Sequence, residues 1–435
     1  MDATPPDANA DTNAAANADA TPERFTGSFT QQEPIPEDAI AAAVAVMRHG
    51  RLHRYNTAPG EVSEVAALEQ EFAATTGARY ALAVASGGYA LRCALAAAGV
   101  GPGDDVLTNA FTLAPVPGAI AALGARPVFV ETTEALVIDM ADLAAKAAAG
   151  RARVLLLSHM RGHICDMDAL MALARAHGLA VIEDCAHTMG GDWRGTPSGR
   201  HGLAGCYSTQ TYKHLNSGEG GLIVTDDAEL MARMVLRSGA YMLYDRHLAA
   251  PPPEAIAPFA PEVPNVSGRM DNLRAAILRP QLARLGKRRA AWNARYCTLE
   301  AGLADCPGLA LIPRPAAEGF VGSSFQALLP GWPPEAVRAL LARAAARGVE
   351  LKWFGAPAPS GFTSAYRHWG YARPGPLPGT DRVLAGLIDL RLPLTFSLED
   401  CARIARILRA EVAALWQALA AGAPPEAPAA HPAAD

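Results

Sequence analysis

The 435-residue chain has no run of about 18 or more apolar residues, the length a membrane-spanning helix needs, so no membrane association is expected. It also has no excess of positive charge. Lys and Arg number 38 against 43 Asp and Glu, a formal net charge of −5. The basic footprint that nucleic acid or an anionic membrane surface would require is therefore missing. The seven Cys are scattered, odd in number and never spaced as Cys-x-x-Cys. They are expected as free thiols in a reducing cytoplasm, not as a disulfide framework. The opening Met1-Asp2-Ala3-Thr4-Pro5-Pro6 lacks the basic and apolar regions of a secretory signal. No internal repeat is found.

What is present describes a globular chain. Half the residues are apolar and 19% are charged, and the length suggests two or three domains. Residues 1–33 are Ala, Asp, Asn, Thr and Pro without apolar periodicity, and residues 419–435 are rich in Ala and Pro. Both are expected to be disordered tails. Between them, short apolar runs recur at Tyr80–Ala85, Asp105–Thr108, Arg126–Glu131, Arg153–Ser158, Ala180–Glu183 and Leu222–Thr225. Helical patterns separate most of them, which predicts an α/β fold with a mostly parallel sheet covered on both faces. The Pro-rich stretch Ala249–Pro264 interrupts this order, and a long helical pattern, Met270–Leu299, follows. Ser397-Leu-Glu-Asp400 reads as a capping box opening a last helix. A large α/β domain over 34–285 and a smaller α+β domain over 286–418 are expected.

Three segments carry chemistry. Ser86-Gly87-Gly88-Tyr89 follows the first strand and opens a helix, where free amides and the helix dipole suit a phosphate. Taken alone it is as well explained by a tight turn. Asp184, in Val181-Ile-Glu-Asp184-Cys-Ala-His187, stands at the C-terminal end of a buried strand, where α/β sheets bind ligands. A helix cap would look the same. Lys213 sits between the strand end Cys206-Tyr-Ser208 and the turn Gly218-Glu-Gly-Gly221. A solvated surface lysine is the plain alternative, and the order of residues is not that of a P-loop.

Together, a phosphate cup, a carboxylate and an amine meet the needs of pyridoxal 5′-phosphate: an anion site, an acidic partner for the ring nitrogen and an amine for the aldehyde. The segment Ser208-x4-Lys213-x4-Gly218-Glu219-Gly220-Gly221 resembles the DegT/StrS family of fold-type-I aminotransferases, as do Gly101-x-Gly-Asp-Asp105-Val, Pro127-Val-Phe-Val, His159-Met-Arg-Gly162 with Asp166-Met-Asp168, Arg269-Met270 and Leu392-Pro393-Leu394. That family includes nucleotide-sugar aminotransferases and 3-amino-5-hydroxybenzoate synthase. The resemblance implies Lys213 as the Schiff-base and proton-transfer lysine, Asp184 on the ring nitrogen and His187 against the ring or its phenolic oxygen. It implies Ser208 and the Gly87 and Gly88 amides on the phosphate. It further implies a homodimer with shared active sites, glutamate or glutamine as amino donor, and a small keto acceptor of sugar-like or cyclitol-like kind. A dehydrating or aromatising lyase, or a regulatory protein that kept the fold, are the alternatives. Lys213 argues against those dehydratases of the family that carry histidine there.

Three positions depart from the family pattern. Leu113 stands where an aromatic residue usually stacks on the ring, with Phe111 as a nearby substitute. Ser267 replaces an Asn that reaches the partner's phosphate, and Gly88 replaces a common Thr. Other readings are weaker. His159, His163, Cys165 and Asp168 fit no closed zinc spacing, so no metal is expected. Arg274, Arg279, Arg284, Lys287, Arg288 and Arg289 are expected on an exposed basic helix face. Trp353, Tyr366 and Trp369 could line a pocket or fill the smaller domain.

Overall fold

The computed structural model describes residues 23–423. Seven strands form the main sheet: β1 (Tyr80–Val84), β2 (Asp105–Asn109), β3 (Arg126–Val130), β4 (Ala152–Ser158), β5 (Ala180–Asp184), β6 (Ala204–Ser208) and β7 (Gly221–Thr225). Their spatial order is β1-β7-β6-β5-β4-β2-β3. Only β7 runs against the others, pairing antiparallel with both β1 and β6. The remaining neighbours are parallel. Strands β1, β6 and β7 are buried along their whole length, as strands covered on both faces must be. Helices start where side chains can satisfy their free amides: Ser86 accepts from the Tyr89 amide, Asp166 from Ala169 and Asp227 from Leu230.

A second, antiparallel sheet of β8 (Ala310–Leu311), β9 (Ser324–Leu328), β10 (Lys352–Trp353) and β11 (Leu387–Arg391) has the order β8-β9-β11-β10. It packs on the helices Leu285–Leu303, Pro334–Ala346 and Leu398–Ala420 around its own apolar core. Ser397 opens the last helix with the expected reciprocal capping box with Asp400. Trp353 belongs to this core, and Tyr366 and Trp369 fill the seam between the two sheets, so all three aromatics are packing residues.

Three expectations need correction. Residues 23–33 do not belong to a disordered tail: Phe25 and Phe29 are buried edge-to-face against Phe396. A pair of phenylalanines without periodicity leaves no amphipathic pattern to read. Residues 1–22 lie outside the described residues, as do 424–435, while the last helix continues to Ala420. The stretch Met270–Leu299 is two helices, Asn272–Leu282 and Leu285–Leu303. Pro280 has no amide to continue the ladder, and the Arg284 guanidinium donates to the Pro280 carbonyl at 2.7 Å, closing the first helix. Nor is the basic face free. Arg279 pairs with Glu64 and Glu71, Arg284 with Asp38, Arg288 with Glu33 and Arg289 with Asp192.

One buried ion pair anchors the first strand. Arg54 donates twice to Glu69, at 2.8 and 2.9 Å, with both side chains fully buried. The same Glu69 accepts the Ala83 amide of β1 at 2.8 Å, just before the Ser86-Gly87 turn. Burial alone would depress the Arg54 pKa, but Glu69 more than offsets it. Removing one partner strands the other charge in the core. Glu69→Ala should therefore lower stability by about 3–5 kcal/mol, seen as a lower urea midpoint.

Candidate active site

The site lies where the C-terminal ends of the parallel strands meet the second sheet, the position at which open α/β sheets bind ligands. Parallel register sets Ser158 of β4 beside Asp184 of β5. Ser158 donates from its hydroxyl to Asp184 Oδ2 at 2.9 Å and accepts from the Thr112 hydroxyl at 2.8 Å. The Asn109 side chain brackets the Ser158 backbone with two bonds of 3.0 Å. The Ala186 amide donates to Asp184 Oδ1 at 3.1 Å. Asp184 is thus a buried carboxylate fixed by a chain crossing three strands. Sequence reasoning found Asp184 but not Asn109, Thr112 and Ser158, whose roles exist only once β2, β4 and β5 are side by side.

Lys213 follows β6 in a turn closed by its own amide on the Gln210 carbonyl. Its amine is 2.8 Å from His187 Nε2. The Lys213 pKa is lowered to about 8, first by burial; Asp184 acts in the opposite direction, and Arg161, Arg391 and Lys352 act with burial. His187 is held well below its usual pKa, first by burial and then by the lysine, so it is neutral and its Nε2 accepts a hydrogen bond from the lysine amine. His187 therefore meets the lysine itself in this structure.

The phosphate-cup residues also converge. A Cβ placed on Gly87 would come within 2.7 Å of the Ser208 Cβ, so only glycine allows the helix start to lie against Ser208. The Ser208 hydroxyl accepts the Gln210 amide at 3.3 Å and is left with its own proton to donate. Within the helix Gly87–Ala97 the first two amides have no partner among the described residues. Gly88 faces more open space, its nearest neighbour being the Pro115 Cβ at 3.8 Å. Anion donors, a fixed carboxylate and a partly neutral amine are the set that pyridoxal phosphate needs, and the residues present fit that group.

The departures resolve unevenly. Phe111 is buried with its ring 5.1 Å from Phe354, in the seam between the sheets, while Leu113 is half-buried at the same edge. Ser267 is exposed, in a left-handed conformation (φ 53°), on the segment whose Arg269 bridges to Val84 of β1. Gly268 packs under the Tyr89 ring, which places Ser267 near the helix that opens at Gly87. The residues weighed as metal ligands do not gather. His163 bonds Gln326, Asp168 receives the Trp193 indole, and His159 pairs with Glu183. His159, Glu183 and Cys185 lie close enough to suggest a metal, but Glu183 already accepts the amides of Gly199, His201 and Gly202. It is a structural carboxylate.

A sequence profile of the DegT/DnrJ/EryC1/StrS aminotransferase family matches residues 35–409. The chain belongs to this family. Among its relatives, a dTDP-3-amino-3,4,6-trideoxy-alpha-D-glucose transaminase of Streptomyces venezuelae is 36% identical over 64% of this chain and 69% of its own length. A pleiotropic regulatory protein of Geobacillus stearothermophilus is 36% identical over 53% of this chain and 60% of its own. A UDP-N-acetyl-3-dehydro-alpha-D-glucosamine 3-aminotransferase of Acidithiobacillus ferrooxidans is 34% identical over 55% and 64%. The matched stretches thus span roughly two thirds of these relatives. Among solved structures, 3-amino-5-hydroxybenzoic acid synthase matches with TM-score 0.75 at 26% identity, over 89% of this chain and 99% of that one. DesV of S. venezuelae, solved with a ketimine intermediate, matches at 0.73 and 29%, over 88% and 99%. The α/β fold of this DegT/StrS-family chain is therefore that of the aminotransferases. Among the described residues no helix is long and apolar enough to cross a membrane.

The Lys213 pKa has a direct consequence in the cofactor-free protein. An amine attacks an aldehyde only when neutral, so capture of pyridoxal phosphate should speed up as pH rises through about 8, well below the range of an ordinary lysine. Asp184→Asn removes the carboxylate that raises this pKa and should move the midpoint lower. Stopped-flow absorbance of cofactor uptake against pH reads both.

Proposed function

We propose that this chain is a pyridoxal-phosphate-dependent aminotransferase that moves an amino group from glutamate or glutamine to a keto group of a sugar-like or cyclitol-like acceptor. The observation that carries the reading is the Lys213 amine, held 2.8 Å from neutral His187 with its pKa lowered to about 8. The names of the transaminase relatives, one acting on a dTDP-sugar and one on a UDP-sugar, support the acceptor class.

The bound cofactor would supply an electron sink for breaking the bond to the substrate's α-proton. The protein's own groups do the rest. Asp184, kept in place by Ser158 and the Ala186 amide, would hold a proton on the ring nitrogen. Lys213 in its neutral form takes the proton from the substrate carbon and returns it on the other side of the exchange. His187 receives a hydrogen bond from that amine and limits where it can point. Ser208 and the Gly87 and Gly88 amides would hold the phosphate, and Leu113 would lie against one ring face.

The reading includes a homodimer with shared sites. Beside Ser267, Tyr241, Met242, Leu243 and Val266 are exposed, Met242 by 80%, an apolar surface that a second copy would cover. Arg269 lies 5.6 Å from the Tyr241 ring and ties that surface to the Ser267 segment. A cofactor bridging two chains must favour the dimer. Light scattering should show a dimer that pyridoxal phosphate stabilises against dilution, and a monomer that retains the cofactor fully would refute sharing.

Lys213→Ala should abolish transfer from glutamate while leaving the fold intact, because no second lysine amine contacts His187. Asp184→Ala should cost on the order of 100-fold or more in turnover, the range for removing one preorganised charge, and Asp184→Glu less. Release of 2-oxoglutarate from glutamate measures both. Lys213→Ala turning over like the wild type would defeat the assignment.

A further inference from the structure

Three cations, Arg161, Arg391 and Lys352, act on the Lys213 amine in the same direction, with Asp184 acting against them. Arg161 Nη2 lies 2.9 Å from Asp389 Oδ2, and Lys352 Nζ lies 3.8 Å from the same oxygen. Arg391 follows Asp389 on β11, stacks on the Tyr212 ring at 3.9 Å and has no ion-pair partner among the described residues. With Lys213, Arg391 lines one small pocket, whose wall also holds Ser323, Leu392 and the Arg288–Glu33 ion pair, so the carboxylate of Glu33 is already engaged. The fully buried Asp389 is committed to the other side as well, accepting from Gln326 Nε2 at 2.7 Å. Among the described residues, Asp389 is therefore the one carboxylate that pairs with Arg161 and Lys352, and Arg391 has none.

That arrangement is unfavourable by itself. Burial, with Arg161 acting in the same direction, lowers the Arg391 pKa to about 10, while Lys352 is depressed by burial and by both arginines. Arg161 moreover sits in a left-handed conformation (φ 56°), which a non-glycine residue adopts only where its surroundings enforce it. Crowded like charges and backbone strain at the mouth of a reactive site are features of a ligand site more than of a packing site. The ligand must be anionic and small, and planar guanidinium groups suit a carboxylate.

We propose that Arg161, Lys352 and Arg391 form a recognition site for a substrate carboxylate, which they orient beside the Lys213 amine. The proposal rests on Lys213 being the reactive amine, and it assigns the residues that hold a substrate carboxylate, which that reading does not. The carboxylate belongs either to the amino donor or to the keto acceptor. A single neutralised guanidinium removes one or two charge-assisted hydrogen bonds, about a 10- to 100-fold loss of affinity.

The test uses the cofactor-loaded protein and its R391Q and R391K variants, with folding and cofactor content checked by circular dichroism and absorbance. Succinate binding is measured by calorimetry, and the half-saturating L-glutamate concentration by single-turnover absorbance. The expected result is succinate affinity about 10- to 100-fold weaker in R391Q, partly recovered in R391K. A glutamate half-saturation that rises by a similar factor, more than the saturated rate falls, assigns the carboxylate to the donor. Weakened succinate binding with unchanged glutamate half-saturation assigns it to the acceptor. Unchanged values for both in folded, loaded R391Q overturn the proposal. K352Q, at a more exposed position, gives the same reading should R391Q not fold. An active Lys213→Ala variant would instead strike the proposed function, and the succinate measurement would still stand.

Discussion

The hydrogen bond from Ser158 to Asp184 is the contact on which the site depends. A carboxylate buried at a strand end loses the solvation that keeps it ionised unless donors replace water. Here the donors come from parallel neighbours: Ser158 from β4, reinforced by Thr112 after β2, and the Ala186 amide from the turn after β5. Slipping the β4–β5 register by one residue would turn Ser158 to the opposite face. Asn109 prevents this by grasping both the amide and the carbonyl of Ser158. Sheet register is thus converted into a fixed position for the carboxylate.

That carboxylate in turn acts on the lysine. Burial pulls the Lys213 pKa down while Asp184 pushes it back, and about 8 is where these opposed effects leave it. A deeper amine without Asp184 would be neutral but could not hold a proton to return. An amine at the surface would stay charged and fail to attack. The three cations from Arg161, Lys352 and Arg391 push in the same direction as burial. A bound carboxylate would relieve part of that push, so substrate binding and lysine protonation are coupled through ordinary electrostatics.

Much of this was legible in the sequence because the informative signals are local. Apolar runs of four to six residues mark β1 to β5 within a residue, Asp184 and Ser208 end their strands, and the glycine pair and Lys213 follow within a few residues of one. The antiparallel direction of β7 was not legible, since a buried strand looks the same in either direction. Nor was the break after Pro280, where helical periodicity continues on both sides. The anchoring of Phe25 and Phe29 depends on Phe396, far away in the chain.

The cationic cluster was hidden for a related reason. Arg161 and Arg391 lie inside or beside motifs that sequence reasoning singled out, His159-Met-Arg-Gly162 and Leu392-Pro393-Leu394. Neither motif reveals its partner, Asp389 for Arg161 and Tyr212 for Arg391, because each lies far away in the chain. Arg161 ends up on Asp389 only when the turn after β4 meets β11. Lys352 arrives on β10, whose pairing with β11 puts Lys352 opposite Asp389. The amine and its carboxylate come from the main sheet, whereas two of the three cations come from the second. Relative movement of the two sheets would therefore change the field at Lys213 without altering Asp184. Chemistry in this chain is fixed by one sheet and tuned by the other.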